Sequence, residues 1–346
     1  MRPRPTVVLS GLTVALVAVA VLALTIGAAG IPLSRLFPAL GLGAAPDGAM
    51  LARDELVLWS IRIPRIVATA AIGAMLALSG TVMQGLFRNP LADPALVGVA
   101  SGGAFGAALT IVLMDAPLIA VPWLRHIELL PLAAFAGALL TTWALYTISS
   151  WRGRTSIAIF LLAGLAIAAL TNAGTGLLVF IADDRQLRDI TFWMLGSVSG
   201  ATWGKTATLL PALGAGLLAI PFIARGLDLL VLGESEAFHS GINVQVLKVL
   251  SIVVVSAMTG VAVSISGVIG FVGIIVPHLL RISIGPGHRL LLPASALGGA
   301  MLLIGADTLA RTLATPAEVP IGILTAAVGA PFFLFLLLRQ RSLVTL

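Results

Sequence analysis

The chain has 346 residues, of which 59% are hydrophobic and only 10% charged, with a mean hydropathy of +1.11. A soluble domain carries roughly 25% charged residues, and a folded surface needs more polar cover than this chain can supply, so a soluble enzyme is excluded and a membrane-embedded chain remains. The net charge of +6 is no nucleic-acid signal, because Lys and Arg stand singly between apolar runs.

Charge is the ruler for the spans. A Lys, Arg or Asp at the bilayer centre costs about 2.5–3.5 kcal/mol, and a helix needs about 20 apolar residues to cross. The basic start Met1-Arg2-Pro3-Arg4-Pro5 precedes an apolar run longer than a signal-peptide core of about 7–15 residues. It is read as an uncleaved first span over 6–29. A second span, 64–86, opens with Arg62-Ile63-Pro64-Arg65. Pro64 suits a first helical turn, where its missing N–H costs nothing. The two arginines, three apart, share a face. They either snorkel at the interface or face an acidic partner.

Arg88-Asn89-Pro90-Leu91-Ala92-Asp93-Pro94 follows, a polar break between two prolines. Non-helical backbone there must be packed in protein or face water, so a tight protein-packed turn is expected. The third span, 94–114, carries Gly98, Gly102 and Gly106, a spacing suited to close helix packing. The fourth and fifth are 129–150 and 155–181. An outer polar segment, Asp183 to Ser197, holds Arg185, Arg188, Phe192, Trp193 and Met194.

Ser199 to Thr206 is one residue short of a phosphate-binding loop. Such a loop joins a strand to a helix in a soluble domain, whereas this one opens the sixth span, 203–224, so it is not read as a nucleotide site. Residues 225–248 form the longest hydrophilic stretch on the inner side. Segment 228–243 reads as two short helical pieces punctuated by Gly233 and Gly241. It is either an amphipathic helix on the membrane or a pair of helices that seat in a partner's groove. The charge-free run 249–280 is too long for one span. Ser264-Ile265-Ser266-Gly267 reads as a turn that divides it into spans 246–265 and 268–283, and glycines 267, 270 and 273 are expected on one face of the second. The last spans are 290–311 and 318–338. Asp307 and Arg311, four apart, are spaced to pair.

The expectation is a single all-α domain over 1–346 with ten spans and both termini cytoplasmic. Lys and Arg then divide eleven inside to nine outside, which barely selects an orientation. So many outer arginines suggest a docking surface. With no cysteine, and with His126, His239, His278 and His288 lacking ligand spacing, no metal site and no cofactor are expected. His126, in an outer loop, is the kind of lone histidine that seldom ligates. An ion-coupled secondary transporter would carry mid-span carboxylates, and no Asp or Glu falls near a span centre. An intramembrane enzyme would need a clustered nucleophile and base, and none is found.

Five strings in order resemble the FecCD-type permeases of bacterial ABC importers for ferric siderophores, heme or cobalamin. They are Arg62-Ile63-Pro64-Arg65; Arg88 to Pro94; Leu232-Gly233-Glu234-x2-Ala237-x3-Gly241; Gly270-Phe271-Val272-Gly273-x3-Pro277-His278-x2-Arg281; and Glu318-x-Pro320-x-Gly322. The resemblance implies a cobalamin-importer-permease-like subunit in the bacterial inner membrane. It would act as a homodimer with two copies of a separate ATP-binding subunit and one periplasmic substrate-binding protein. It would have no catalytic residue of its own. By the same resemblance Arg62, Arg65 and Arg311 meet the binding protein, while Leu232, Gly233, Glu234, Ala237 and Gly241 seat on the ATPase. The run Phe238-His239-Ser240 departs from the usual pattern. The segment 183–197 looks like the heme-importing branch. Arg185 and Arg188 are spaced to meet propionate carboxylates, with Phe192 and Trp193 against a flat apolar face. The alternative is that both arginines pair with Asp183, Asp184 or Asp189 and that the aromatics are an interfacial belt. Ferric siderophore and cobalamin remain the other cargoes.

Overall fold

The computed structural model describes residues 4–27, 30–43, 48–94, 98–113, 128–151 and 154–344. The chain is almost wholly helical. Among the described residues, seven helices are long and apolar enough to cross a membrane, and three shorter apolar ones, Val99–Leu113, Val272–Ile284 and Ile321–Leu336, bring the set to ten.

Helix α1 (Pro5–Thr25) starts on Pro5, a first-turn proline, and buries only Ala23. After α2 (Leu33–Ala39) comes a continuous rod made of α3 (Gly48–Val57), a π-helical turn (Leu58–Arg62) and α4 (Ile63–Phe87). The sequence expectation starts this helix near Pro64, and the structure corrects it. In the π turn the Ile63 N–H reaches back five residues to the Leu58 carbonyl. That shifts the hydrogen-bond ladder just before Pro64, where its missing donor would otherwise break it.

Helix α4 is the keel of the molecule. It packs against α9 (Trp203–Leu230), α11 (Val244–Ser266), α12 (Val272–Ile284) and α13 (His288–Leu313). Its apolar and small residues run all round it, as a helix without a solvent face requires. A Cβ on Gly80 would overlap the backbone of Gly273 on α12, and one on Gly73 would overlap the Gly299 carbonyl on α13. These contacts bring backbones together as small residues do in membranes. Helices α5 (Val99–Leu113), α6 (Leu129–Ser149) and α7 (Ile157–Ile181) form a second group against α11. Gly102 and Gly106 of α5 face α6, where a Cβ would strike Thr141 or the Ala133 carbonyl, while Gly98 has positive φ at the helix start. The turn after α4 is tight: Arg88 is left-handed, and the Asn89 side chain accepts the Leu91 N–H at 2.9 Å.

At 13 residues α12 is about 20 Å long, too short to cross. Its first turn meets Leu76 and Gly80, midway along α4, so it begins at depth. The break before it spans 267–271, slightly later than the expected 264–267. Gly267 and Gly270 lie in this break and only Gly273 is helical, which corrects the expectation of three glycines on one helix face. The break is packed in protein, as its backbone requires. The Ser266 carbonyl accepts the Ser197 N–H at 2.7 Å, and the ring of Phe271 lies on Gly329 of α14 (Ile321–Val344).

Two ends follow from this packing. One joins the finish of α1, the start of α4, the finish of α13 and the start of α14, and also carries α8 (Asp184–Met194). The other joins the finish of α4, the start of α13, the two-residue strands β1 (Ser150–Trp151) and β2 (Arg154–Thr155), and α10 (Glu234–His239).

Candidate functional site

At the α8 end, α1, α4, α13 and the start of α14 converge on a buried ion cluster. The Arg65 guanidinium holds Asp307 through Nε (3.1 Å to either oxygen) and Nη2 (2.8 Å). It holds Glu318 through Nη1 and Nη2, both at 2.9 Å. Asp307 is also 3.3 Å from Nε of Arg311, the i,i+4 pair expected from the spacing. Arg311 reaches the Ala23 carbonyl at 3.4 Å, and Arg62 donates to the Leu24 carbonyl, so α1 is tied in by its last turn. The side chains of Arg65 and Asp307 are 9% and 3% exposed, against 39% for Glu318. Charges this dry persist because each guanidinium meets carboxylates or carbonyls in hydrogen-bonding geometry. The sequence thus brings Arg62, Arg65 and Arg311 together, and the fold turns them inward.

At the same end an open cavity of about 410 Å³ is lined by Arg185, Gln186, Asp189, Phe192 and Trp193 of the α8 region, with Ile111, Leu130, Ser197, Ile265 and Ser266. Helix α8 is fixed by a capping box. Asp183 accepts the Gln186 N–H at 2.8 Å and the Gln186 side chain accepts the Asp183 N–H at 3.1 Å. Three of the four expected pathway residues, Arg185, Phe192 and Trp193, line the cavity, whereas Arg188 is exposed elsewhere on α8. Among the described residues neither arginine makes an ion pair, so pairing with Asp183, Asp184 or Asp189 is not what holds them. Helix α9 starts next door with Thr202 as N-cap. Lys205 pairs with Glu128 at 3.4 Å. This is the segment that mimics a phosphate loop, and here it is a membrane-helix start. His126 lies outside the described residues.

At the other end the expected coupling segment is built differently from the sequence reading. Its first piece is not a separate helix: α9 continues to Leu230, about 42 Å from its start, because nothing between Ala224 and Leu230 stops it. A turn through Gly233 (φ 133°) then leads to α10, and Gly241 (φ 85°) ends it. Ala237 is fully buried, while Leu232 and Phe238 are 69% and 68% exposed, apolar knobs beside the exposed Val231. Glu234 pairs with Lys248 at 2.9 Å. Lys248, 3% exposed, also donates to the Thr155 carbonyl at 3.0 Å, so one buried lysine ties α10 to β2. A second tie joins α9 to α13: Asp228 accepts both the backbone N–H of His288 (2.8 Å) and its Nδ1 (2.7 Å). Sequence reasoning missed Lys248, Asp228 and His288. Each is a single polar residue whose partner is far along the chain, and spacing carries no trace of it.

A profile of the FecCD transport family matches residues 15–339. The hemin transport system permease HmuU of Yersinia pestis is 45% identical over 322 residues, covering 88% of this chain and 93% of that protein. The cobalamin import permease BtuC of Halobacterium salinarum is 44% identical over 288 residues, covering 83% and 74%. Among solved structures, a transporter provisionally classed as metal-chelate-type ABC, in an inward-facing conformation, matches with a TM-score of 0.83 at 33% identity, over 97% of this chain and all of that one.

Proposed function

The chain belongs to the FecCD transport family, and on that premise we propose that it is the multi-pass inner-membrane permease of an ABC importer of metal chelates, with heme as its cargo. ATP hydrolysis lies in a separate subunit. Two copies of the chain would enclose the pathway, with two ATP-binding subunits at the α10 end and one substrate-binding protein at the α8 end. Both termini are then cytoplasmic. Exposed leucines along α7, among them Leu162, Leu165 and Leu170, supply a face for the second copy or for lipid.

Relatedness does not choose the cargo, since hemin and cobalamin permeases are nearly equally similar. One observation carries the choice of heme: Arg185, which makes no ion pair among the described residues, lines the same cavity as Phe192 and Trp193. A flat apolar macrocycle with two carboxylates fits that combination of cation and aromatic surface. Cobalamin, whose periphery is largely amide, makes less use of the cation. A ferric siderophore is the second reading, favoured by the same cation where the chelate is anionic.

The mechanism needs no covalent step. Binding protein would release the chelate at the cavity, and nucleotide binding in the partner would move α10 through Leu232, Gly233, Glu234, Ala237 and Gly241. The Glu234–Lys248 and Asp228–His288 ties then pass the movement to α11, α9 and α13, a two-state change biased from both ends. The test is reconstitution of the chain with its ATPase and binding protein in proteoliposomes. ATP-dependent accumulation of heme, above ferric siderophore and cobalamin, is expected. Cobalamin accumulation alone would overturn the cargo, and no ATP-dependent accumulation of any of the three would overturn the importer.

A further inference from the structure

We infer that Glu318 is an exchangeable stand-in for a carboxylate of the docking protein, and that docking takes Arg65 from it and so releases the N-terminus of α14. This rests on the docking reading above.

Arg65 has two occupied edges that differ in character. The Asp307 edge is shut: that carboxylate is 3% exposed and is shared with Arg311. The Glu318 edge is open. Glu318 is 39% exposed and offers two oxygens to Nη1 and Nη2 at 2.9 Å. An incoming carboxylate presents the same two-oxygen geometry to the same two donors, and a pair this wet is cheap to exchange. Left without any acceptor there, Arg65 would keep an unpaired, nearly buried edge, which is costly. Glu318 therefore covers it while no partner is present.

Release of Glu318 has a mechanical consequence. The residue lies just before α14. The other tie described there is the Val319 N–H to the Ala310 carbonyl at 3.1 Å. The first turn of α14 presses Gly322 onto the carbonyls of Leu195 and Val268. Leu195 follows the cavity residue Trp193, and Val268 belongs to the break that follows Ser266, also a cavity residue. One side-chain exchange thus connects the docking face to the cavity wall.

The test uses the permease–ATPase complex in nanodiscs with the purified binding protein. Glu318→Gln keeps the shape and lets Asp307 go on neutralising Arg65, so folding survives. It removes the competitor, and binding should tighten about twofold to fivefold. Glu318→Asp restores the charge and should bind like wild type. The native chain has no cysteine, so spin labels at Ile323→Cys on α14 and Leu187→Cys on α8 report alone. Their separation should shift in wild type when binding protein is added, and the shifted population should already be present in Glu318→Gln without it. If Glu318→Gln changes neither affinity nor separation while docking still weakens with salt, the exchange is wrong and the docking reading stands. If wild-type docking is indifferent to salt, the docking reading fails and takes the exchange with it.

Discussion

Arg65 shows how much a single side chain can organise inside a membrane protein. It touches Asp307, 242 residues away in sequence, and Glu318, 253 away, and with Arg311 it makes Asp307 the most enclosed anion of the cluster. Asp307→Ala leaves two buried cations short of their counter-charge. It should destabilise the chain by about 3–5 kcal/mol, read as a lower thermal unfolding temperature in detergent, whereas Glu318→Gln at the wet edge should lower it little. A second expectation separates the two arginines of α8. Arg185→Glu should cut heme uptake roughly tenfold or more, the worth of a charge-assisted contact, while Arg188→Glu, outside the cavity, should leave uptake near wild type. Equal losses from both would argue for a general field rather than a cavity contact. At this scale the sequence reveals residue types and local spacings. The Asp307–Arg311 pair follows from four-residue spacing. Arg65–Glu318 and Lys248–Glu234–Thr155 do not, because the fold alone brings those partners together.

The helices are far more legible in the sequence than their joints. Charge-free runs mark the apolar helices, since the bilayer penalises each interruption, and the Gly102 and Gly106 spacing faces α6 as small-residue spacing predicts. Errors fall where hydrogen bonding, not hydropathy, decides. The rod before Pro64 depends on a π turn, and α9 outlasts its apolar run because polar residues continue a helix as readily as apolar ones once it leaves lipid. The break before α12 is offset because Ser264 to Ser266 remain helical and Gly267 (φ 68°) ends the helix. The α4–α12 crossing offers a sharp test. Gly80→Val should abolish correct assembly, seen as loss of a monodisperse peak in mild detergent, because its Cβ would overlap Gly273. Gly176→Ala on α7 has nothing within 4 Å of its Cβ and should be neutral or stabilising by up to about 1 kcal/mol.

Taken whole, the molecule has a polar device at each end and a tightly buried helix between them. If α10 lies in the cytoplasm, a cysteine placed at Phe238 should react with a membrane-impermeant maleimide only in inverted vesicles, and one placed at Arg188 only in intact spheroplasts. Labelling of both from one side would refute the topology. Leu232→Asp with Phe238→Asp should abolish ATPase co-purification without altering the thermal unfolding of the permease, since both side chains are already exposed. The length of chain between Arg65 and Asp307 also bears on how the protein is made. At about 5–20 residues per second, a ribosome needs about 12–50 s to add the 242 residues that separate them. Throughout that interval α4 is in or at the bilayer with Arg62 and Arg65 lacking Asp307 and Glu318, which have not yet been synthesised. Over that interval the arginine end of α4 has only the headgroups for its charge, and the buried ion cluster can close only after α13 and the start of α14 have been made. Assembly of this importer subunit is in that sense a closing event, set by α13 and the start of α14.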